Sequence, residues 1–145
     1  MKVEDLYTQL IAAWNVRDAE AFASLFTLDG ETIGFDGSEL SGQAAIRAEL
    51  SRIFADHTPD PYIAKIHSVT TVTTDVAIVR AIAGMVPKGK TELEPKLHAV
   101  HRLTAVSRRP GEWSIALFQT TPAALHGRPE ALAAITSELD AVRGT

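Results

Sequence analysis

The sequence predicts an α+β domain: a helical first third, then a block of long antiparallel strands, then a single terminal helix. Three observations carry this. Apolar residues recur at spacings of three and four from Val3 to Phe54; residues 62–121 are rich in β-branched side chains broken by turn signals; and helical spacing returns from Pro129 onward.

Val3, Leu6, Tyr7, Leu10, Ile11 and Trp14 form the first apolar stripe, with Asp5, Gln9 and Ala13 off it. Asn15-Val16-Arg17 interrupts the stripe. Asp18 supplies a side-chain oxygen to cap a short second helix, whose Phe22, Leu25 and Phe26 share one face. A first strand is expected over Leu28–Asp36, with Ile33 and Phe35 on one face and the turn-forming Asp36-Gly37-Ser38 at its end. Ser41 is expected to cap a third helix that buries Ile46, Leu50, Ile53 and Phe54. Thr58-Pro59-Asp60-Pro61 stops it, because a residue before proline is pushed out of the helical region. Four strands follow, Tyr62–Thr73, Val76–Val86, Leu97–Ser107 and Trp113–Thr121, joined by turns at Thr74-Asp75 and Arg108-Arg109-Pro110-Gly111 and by a polar connection holding Pro87, Gly89 and Pro95. Pro129 opens the last helix, with Leu132, Ile135, Leu139 and Val142 along one face.

At 145 residues the chain has the length of one domain, and 46% hydrophobic with 22% charged residues is a globular composition. A net charge of -4, with both signs scattered, gives no electrostatic footprint for nucleic acid or an anionic membrane. No apolar run is long enough to span a bilayer, and Met1–Asp5 lacks the order of a signal peptide, so a cytoplasmic protein is expected. There is no cysteine, which removes disulfides, thiolate nucleophiles and thiolate metal ligands. No phosphate loop or dinucleotide fingerprint is present, and no cofactor is expected.

The element order, the stretches Ala12-Ala13-Trp14-Asn15-Val16-Arg17-Asp18 and Ser41-Gly42-Gln43-Ala44-Ala45-Ile46-Arg47, and the placement of Asp29-Gly30 and Trp113 resemble the nuclear transport factor 2-like superfamily over about residues 4–121, leaving 122–145 as a C-terminal helical extension. Among its SnoaL-like members the chain is most similar to the SgcJ/EcaC group, associated with polyketide and enediyne biosynthesis. The resemblance implies a cone-shaped, curled antiparallel sheet whose concave face is covered by the three N-terminal helices around a pocket. It also implies a homodimer through the other sheet face, part of which the terminal helix would cover instead. Long antiparallel strands twist and curl, which is the physical basis of such a cone.

Ketosteroid isomerases share that architecture and use a strand aspartate as base, with a tyrosine and a protonated aspartate as oxyanion donors. Alignment on Asn15 and Asp18 puts Leu10 at the tyrosine position, and alignment on Gly37-Ser38-Glu39 puts Gly34 at the base position, so both roles are vacant. Asp36, two residues on, is a displaced carboxylate on the same strand face; an Asp before Gly37 also serves simply to open a turn.

His101 shares parity with Leu97, Ala99, Leu103 and Ala105, so its imidazole points inward, either into the pocket as an acid, base or donor or into the core beside a hydrogen-bonded neighbour. His98 has the opposite parity, and His98-x-x-His101 cannot chelate one metal from a regular strand; no metal site is expected. Gln119 follows Trp113, Ile115 and Leu117 at period two, which places its amide at the end of an apolar face or in water at the strand end. Arg80 interrupts an apolar strand and suits a sheet-face ion pair; His67 shares parity with Lys65 and faces outward. Trp14, Phe26, Phe35, Phe54 and Tyr62 gather where a mouth would be, a binding wall for an aromatic or polyene ligand, although each is also an ordinary core residue. Two functions follow: a pocket protein for an apolar small molecule, with His101, Asp36 and Gln119 as polar features and cofactor-free isomerase-, cyclase- or hydratase-type chemistry in reach, or a non-catalytic dimeric binding or assembly module.

Overall fold

A computed structural model describes residues 1–144. The last residue of the C-terminal extension, Thr145, lies outside the described residues. Helix α1 (Val3–Asn15) buries Val3, Leu6, Tyr7 and Leu10, and also Ala13, whose small side chain lies against the core although the stripe passed it by. Arg17 takes the left-handed φ of 56° at the corner, and the Asp18 carboxylate accepts from Ala21 N at 2.9 Å to start α2 (Ala19–Ala23).

Strand β1 (Phe26–Ile33) begins and ends earlier than its composition suggested. Gly34–Ser38 closes a tight turn, with Gly34 N donating to Ser38 O at 2.8 Å, and leads into β2 (Glu39–Ser41), a short edge strand too brief to show alternation. Ser41 is therefore a strand residue. The cap of α3 (Gln43–Asp56) is Gly42 at φ 99°, where glycine is favoured over serine. Strands β3 (Ile63–Thr73), β4 (Val76–Gly84), β5 (Ala99–Arg109) and β6 (Glu112–Pro122) match the four expected, and a 3₁₀ turn at Pro95–Leu97 precedes β5.

The sheet order is β2-β1-β6-β5-β4-β3, curled but unclosed, with β2 and β3 as its edges. Every neighbouring pair is antiparallel except β1 and β6, which run parallel because the last strand enters between the first strand and β5. On the concave face Val79, Leu103, Ile115 and Phe118 pack against Leu6, Tyr7 and Leu10 of α1 and against Ile46 and Leu50 of α3. Helix α4 (Pro129–Arg143) lies on the other face, where its Leu139 is fully buried with Ile82 and Leu93.

A β-bulge governs the site. Thr104 pairs with Leu117 while Ala105 pairs with Ile115, so Ala116 is an extra residue in β6. An extra residue reverses the alternation beyond it. Ile115 and Phe118 consequently face inward together, and Leu117 and Gln119 face outward.

Candidate functional site

Between the concave face and the N-terminal helices lies a cavity of about 470 Å³. Helix α1 contributes Leu10, Ile11 and Trp14; α2 contributes Phe22; α3 contributes Ile46, Leu50 and Ile53; β6 contributes Phe118 and Thr120. The β1–β2 hairpin supplies Thr32, Ile33, Phe35 and Leu40, and Tyr62 closes the wall before β3. Charged groups are confined to the rim: Asp36 on the hairpin turn, and Glu49 and Arg52 on α3, which pair with each other. Apolar walls with a few polar groups are the usual make-up of a small-molecule pocket.

Local structure fixes this wall. Asn15 grips the backbone of Tyr62 from both sides, its Nδ2 donating to Tyr62 O at 3.1 Å and its Oδ1 accepting from Tyr62 N at 2.8 Å. Trp14 Nε1 donates to Asp60 O at 3.2 Å, which ties down the proline-flanked segment that α3 could not enter. The Trp14 ring meets Tyr62 at 5.4 Å and Phe54 edge-on at 5.5 Å.

Of the five aromatic residues expected at the mouth, Trp14, Phe35 and Tyr62 line the cavity, and Phe35 is 72% exposed at its lip. Phe54 stands behind Trp14, and Phe26 is buried and stacked on Phe22 at 5.7 Å, so neither reaches the cavity wall. Phe22 and Phe118 take their places. Phe22 was legible only as one residue of a helix face, and Phe118 was hidden by the bulge at Ala116, which also turns Gln119 to the outer face beside Arg102 and leaves Thr120 lining the cavity.

Asp36 sits beyond the end of β1, on the turn, and its carboxylate accepts from Ser38 N at 2.9 Å. Bonds from the Ser38 backbone and hydroxyl hold its carboxyl below the usual carboxylate range. It is the turn-opening aspartate, placed at the rim.

His101 points inward, is 0% exposed, and lies one layer behind the cavity wall. Its ring is edge-on to Tyr62 at 5.1 Å and to Phe118 at 4.9 Å, both of which line the cavity. Its Nδ1 is bonded to Tyr7 Oη at 2.8 Å, whereas its Nε2 is buried without a partner. Burial pushes its pKa down to about 3, so the imidazole is neutral at physiological pH. Burial also pushes the Tyr62 phenol up to about 12, and burial together with Tyr62 raises Tyr7 well above its ordinary value. Sequence spacing reveals no Tyr7–His101 pair, since the two residues are 94 apart.

His98 faces the other way, its Nε2 bonded to Thr136 Oγ1 of α4 at 2.7 Å. Among the described residues no three His, Cys, Asp or Glu side chains come together as a metal site would require, and no helix is long and apolar enough to cross a membrane. His67 is outward and bonded to Glu138 at 2.9 Å. Arg80 lies on the outer face directly across from Arg102 and bonds Thr70 Oγ1 at 2.5 Å.

The sequence profile of the SnoaL-like domain family matches residues 7–107. No curated protein is significantly similar in sequence. Among solved structures, a domain of unknown function with a cystatin-like fold from Nostoc punctiforme superposes with a TM-score of 0.78 at 19% identity, covering 99% of this chain and 95% of its own. A ketosteroid isomerase-like protein from Erwinia carotovora gives 0.68 at 18% identity over 84% and 94% of the two chains. A nuclear transport factor 2-like protein with a cystatin-like fold from Novosphingobium aromaticivorans gives 0.64 at 22% identity over 90% and 85%. At these identities the likeness is one of fold.

Proposed function

The chain belongs to the SnoaL-like domain family, and we propose that it binds an apolar small molecule in the cone, a polyketide- or enediyne-like intermediate of natural-product biosynthesis. One observation carries this reading: a cavity of about 470 Å³ walled by aliphatic and aromatic side chains, with charge only at its rim. That volume lies in the range of ordinary ligand pockets, roughly 300–1,000 Å³.

Retention of a ligand is favoured over turnover. A general base works best with a pKa near the operating pH. His101 is held neutral by burial behind the wall, and Asp36 is a solvated carboxylate at the rim. The two do not flank a common position as an acid–base pair for isomerisation, cyclisation or hydration would.

Thermal unfolding of the wild type and of Ile53→Trp, which fills the cavity, against a panel of apolar bicyclic, polycyclic and polyene molecules tests the reading. A ligand at 100 times its Kd should stabilise the wild type by about 2.7 kcal/mol. The shift should vanish in the filled variant. An absence of shift across the panel would sink the pocket reading.

The second reading is a dimeric binding or assembly module. It is favoured by the outer sheet face, where Arg80 and Arg102 are cross-strand neighbours and neither has an ion-pair partner among the described residues. Like charges directly opposite are destabilising, and a facing carboxylate would relieve them. A concentration-dependent dimer abolished by Arg102→Glu supports that reading; a monomer at all concentrations removes it.

A further inference from the structure

Two buried side-chain nitrogens have no partner among the described residues, His98 Nδ1 under α4 and His101 Nε2, and only the His101 ring packs on residues of the cavity wall, Tyr62 and Phe118. Buried polar groups are nearly always paired, so an exception calls for a partner supplied from elsewhere. Which proton the His101 nitrogen carries follows from its neighbour. Tyr7 Oη lies 2.8 Å from Nδ1 and makes no other hydrogen bond among the described residues. If Nδ1 carried the proton, the Tyr7 hydroxyl hydrogen would be left buried and unused, together with a bare Nε2. If Tyr7 donates to Nδ1, every group but one is satisfied, and the neutral imidazole carries its hydrogen on Nε2.

We propose that Tyr7 fixes His101 as an Nε2–H donor at the inner end of the cavity, and that this donor selects apolar molecules presenting an uncharged acceptor oxygen at their buried end. The inference rests on the cavity being a small-molecule site. A carboxylate is disfavoured in that position, because Arg52, the cation of the cavity lining, lies at the rim and is paired with Glu49. A purely hydrocarbon end leaves the donor unmet.

Tyr62 separates the donor from the open space. Its backbone is held by Asn15, but its hydroxyl is bonded to none of the described residues, and its ring is held by contacts with Trp14 and His101. Rotation of this side chain breaks no hydrogen bond within the protein. Tyr7 is a positioning residue and Tyr62 the movable part of the wall.

Long-range ¹H–¹⁵N spectra of the full chain at neutral pH test the tautomer without any ligand. The expected His101 signature is a protonated Nε2 and a bare, hydrogen-bonded Nδ1; an Nδ1–H tautomer or an imidazolium overturns the proposal. Dissociation constants are then measured for trans-decalin and trans-1-decalone, a matched hydrocarbon and ketone, in the wild type and in His101→Phe.

The preference for the ketone over the hydrocarbon should fall about tenfold in His101→Phe, the scale of one buried hydrogen bond. Decalin should bind both proteins alike, and decalone alone should move the wild-type Nε2–H resonance. A preference unchanged by the substitution overturns the donor role and leaves the cavity a binding site. Failure of both probes to bind the wild type overturns the cavity reading and this inference with it. Tyr7→Phe serves where His101→Phe does not fold. It should give averaged ring ¹⁵N shifts and a reduced ketone preference, and an unchanged tautomer with unchanged preference overturns the part assigned to Tyr7.

Discussion

The Tyr7 hydroxyl lies 2.8 Å from His101 Nδ1, joining α1 to β5 through a hydrogen bond that is sealed from solvent. Removing that oxygen leaves Nδ1 buried without a partner, and a buried polar atom so orphaned costs about 1–3 kcal/mol. Tyr7→Phe should therefore lower the unfolding free energy by that amount, read as a lower urea midpoint with an unchanged slope because the surface exposed on unfolding stays the same.

Acidification should destabilise the fold in a defined window. The folded-state pKa of His101 is about 3, far below the 6.5 of the unfolded chain, so between these values the unfolded chain binds a proton that the native protein does not. Stability then falls as pH falls, by at most about 1.4 kcal/mol per unit below the unfolded value. Burial lowers His98 as well and adds in the same direction. Hydrogen bonds to Ser38, Arg52 and His67 hold the carboxyls of Asp36, Glu49 and Glu138 below their ordinary values, and their contribution is lost only as pH falls below the unfolded carboxylate range of about 4. Urea titrations at pH 7 and pH 5 on the wild type and on His101→Phe should show a smaller loss in the variant; equal losses would remove His101 from the account.

Gly84 is the seat of α4. A Cβ there would lie 2.9 Å from Leu139 Cδ1 and 3.0 Å from His98 Nδ1. Gly84→Ala should destabilise by about 1–3 kcal/mol through overpacking. Amide exchange should accelerate in α4 while the concave-face core stays protected. Leu139→Ala, which empties the same contact, should cost about 2–5 kcal/mol.

The bulge at Ala116 makes opposite predictions for adjacent residues. The chain contains no cysteine, so single substitutions report cleanly. A ligand in the cavity should protect Thr120→Cys from maleimide and leave Gln119→Cys unprotected. Protection of the second and not the first would restore a regular β6 and overturn the assigned faces.

Asn15→Ala removes both bonds to the Tyr62 backbone. The expected outcome is a loss of about 1–3 kcal/mol and faster amide exchange at the start of β3, since the segment before it then keeps the Trp14 bond to Asp60 O and the ring contacts of Tyr62 but loses both bonds to its backbone.

The sequence by itself determined the α+β class, the helix starts at Asp18 and Pro129 though not the cap expected at Ser41, the four long strands and the inward face of His101, because each rests on local periodicity or on one residue's backbone chemistry. Turns were legible as well, yet β2 was not, since a three-residue strand carries too little alternation to register. Only the tertiary structure decided which residues meet. Two β6 residues with opposite assignments, Gln119 and Phe118, depend on one unpaired residue at Ala116, and a bulge is set by cross-strand register, which no local pattern encodes. The Tyr7–His101 bond and the grip of Asn15 on Tyr62 likewise join residues distant in the chain, brought together by the curl of the sheet under α1. Parity placed His101 indoors; the packing of Tyr62 and Phe118 in front of it decided that it stands behind the cavity wall.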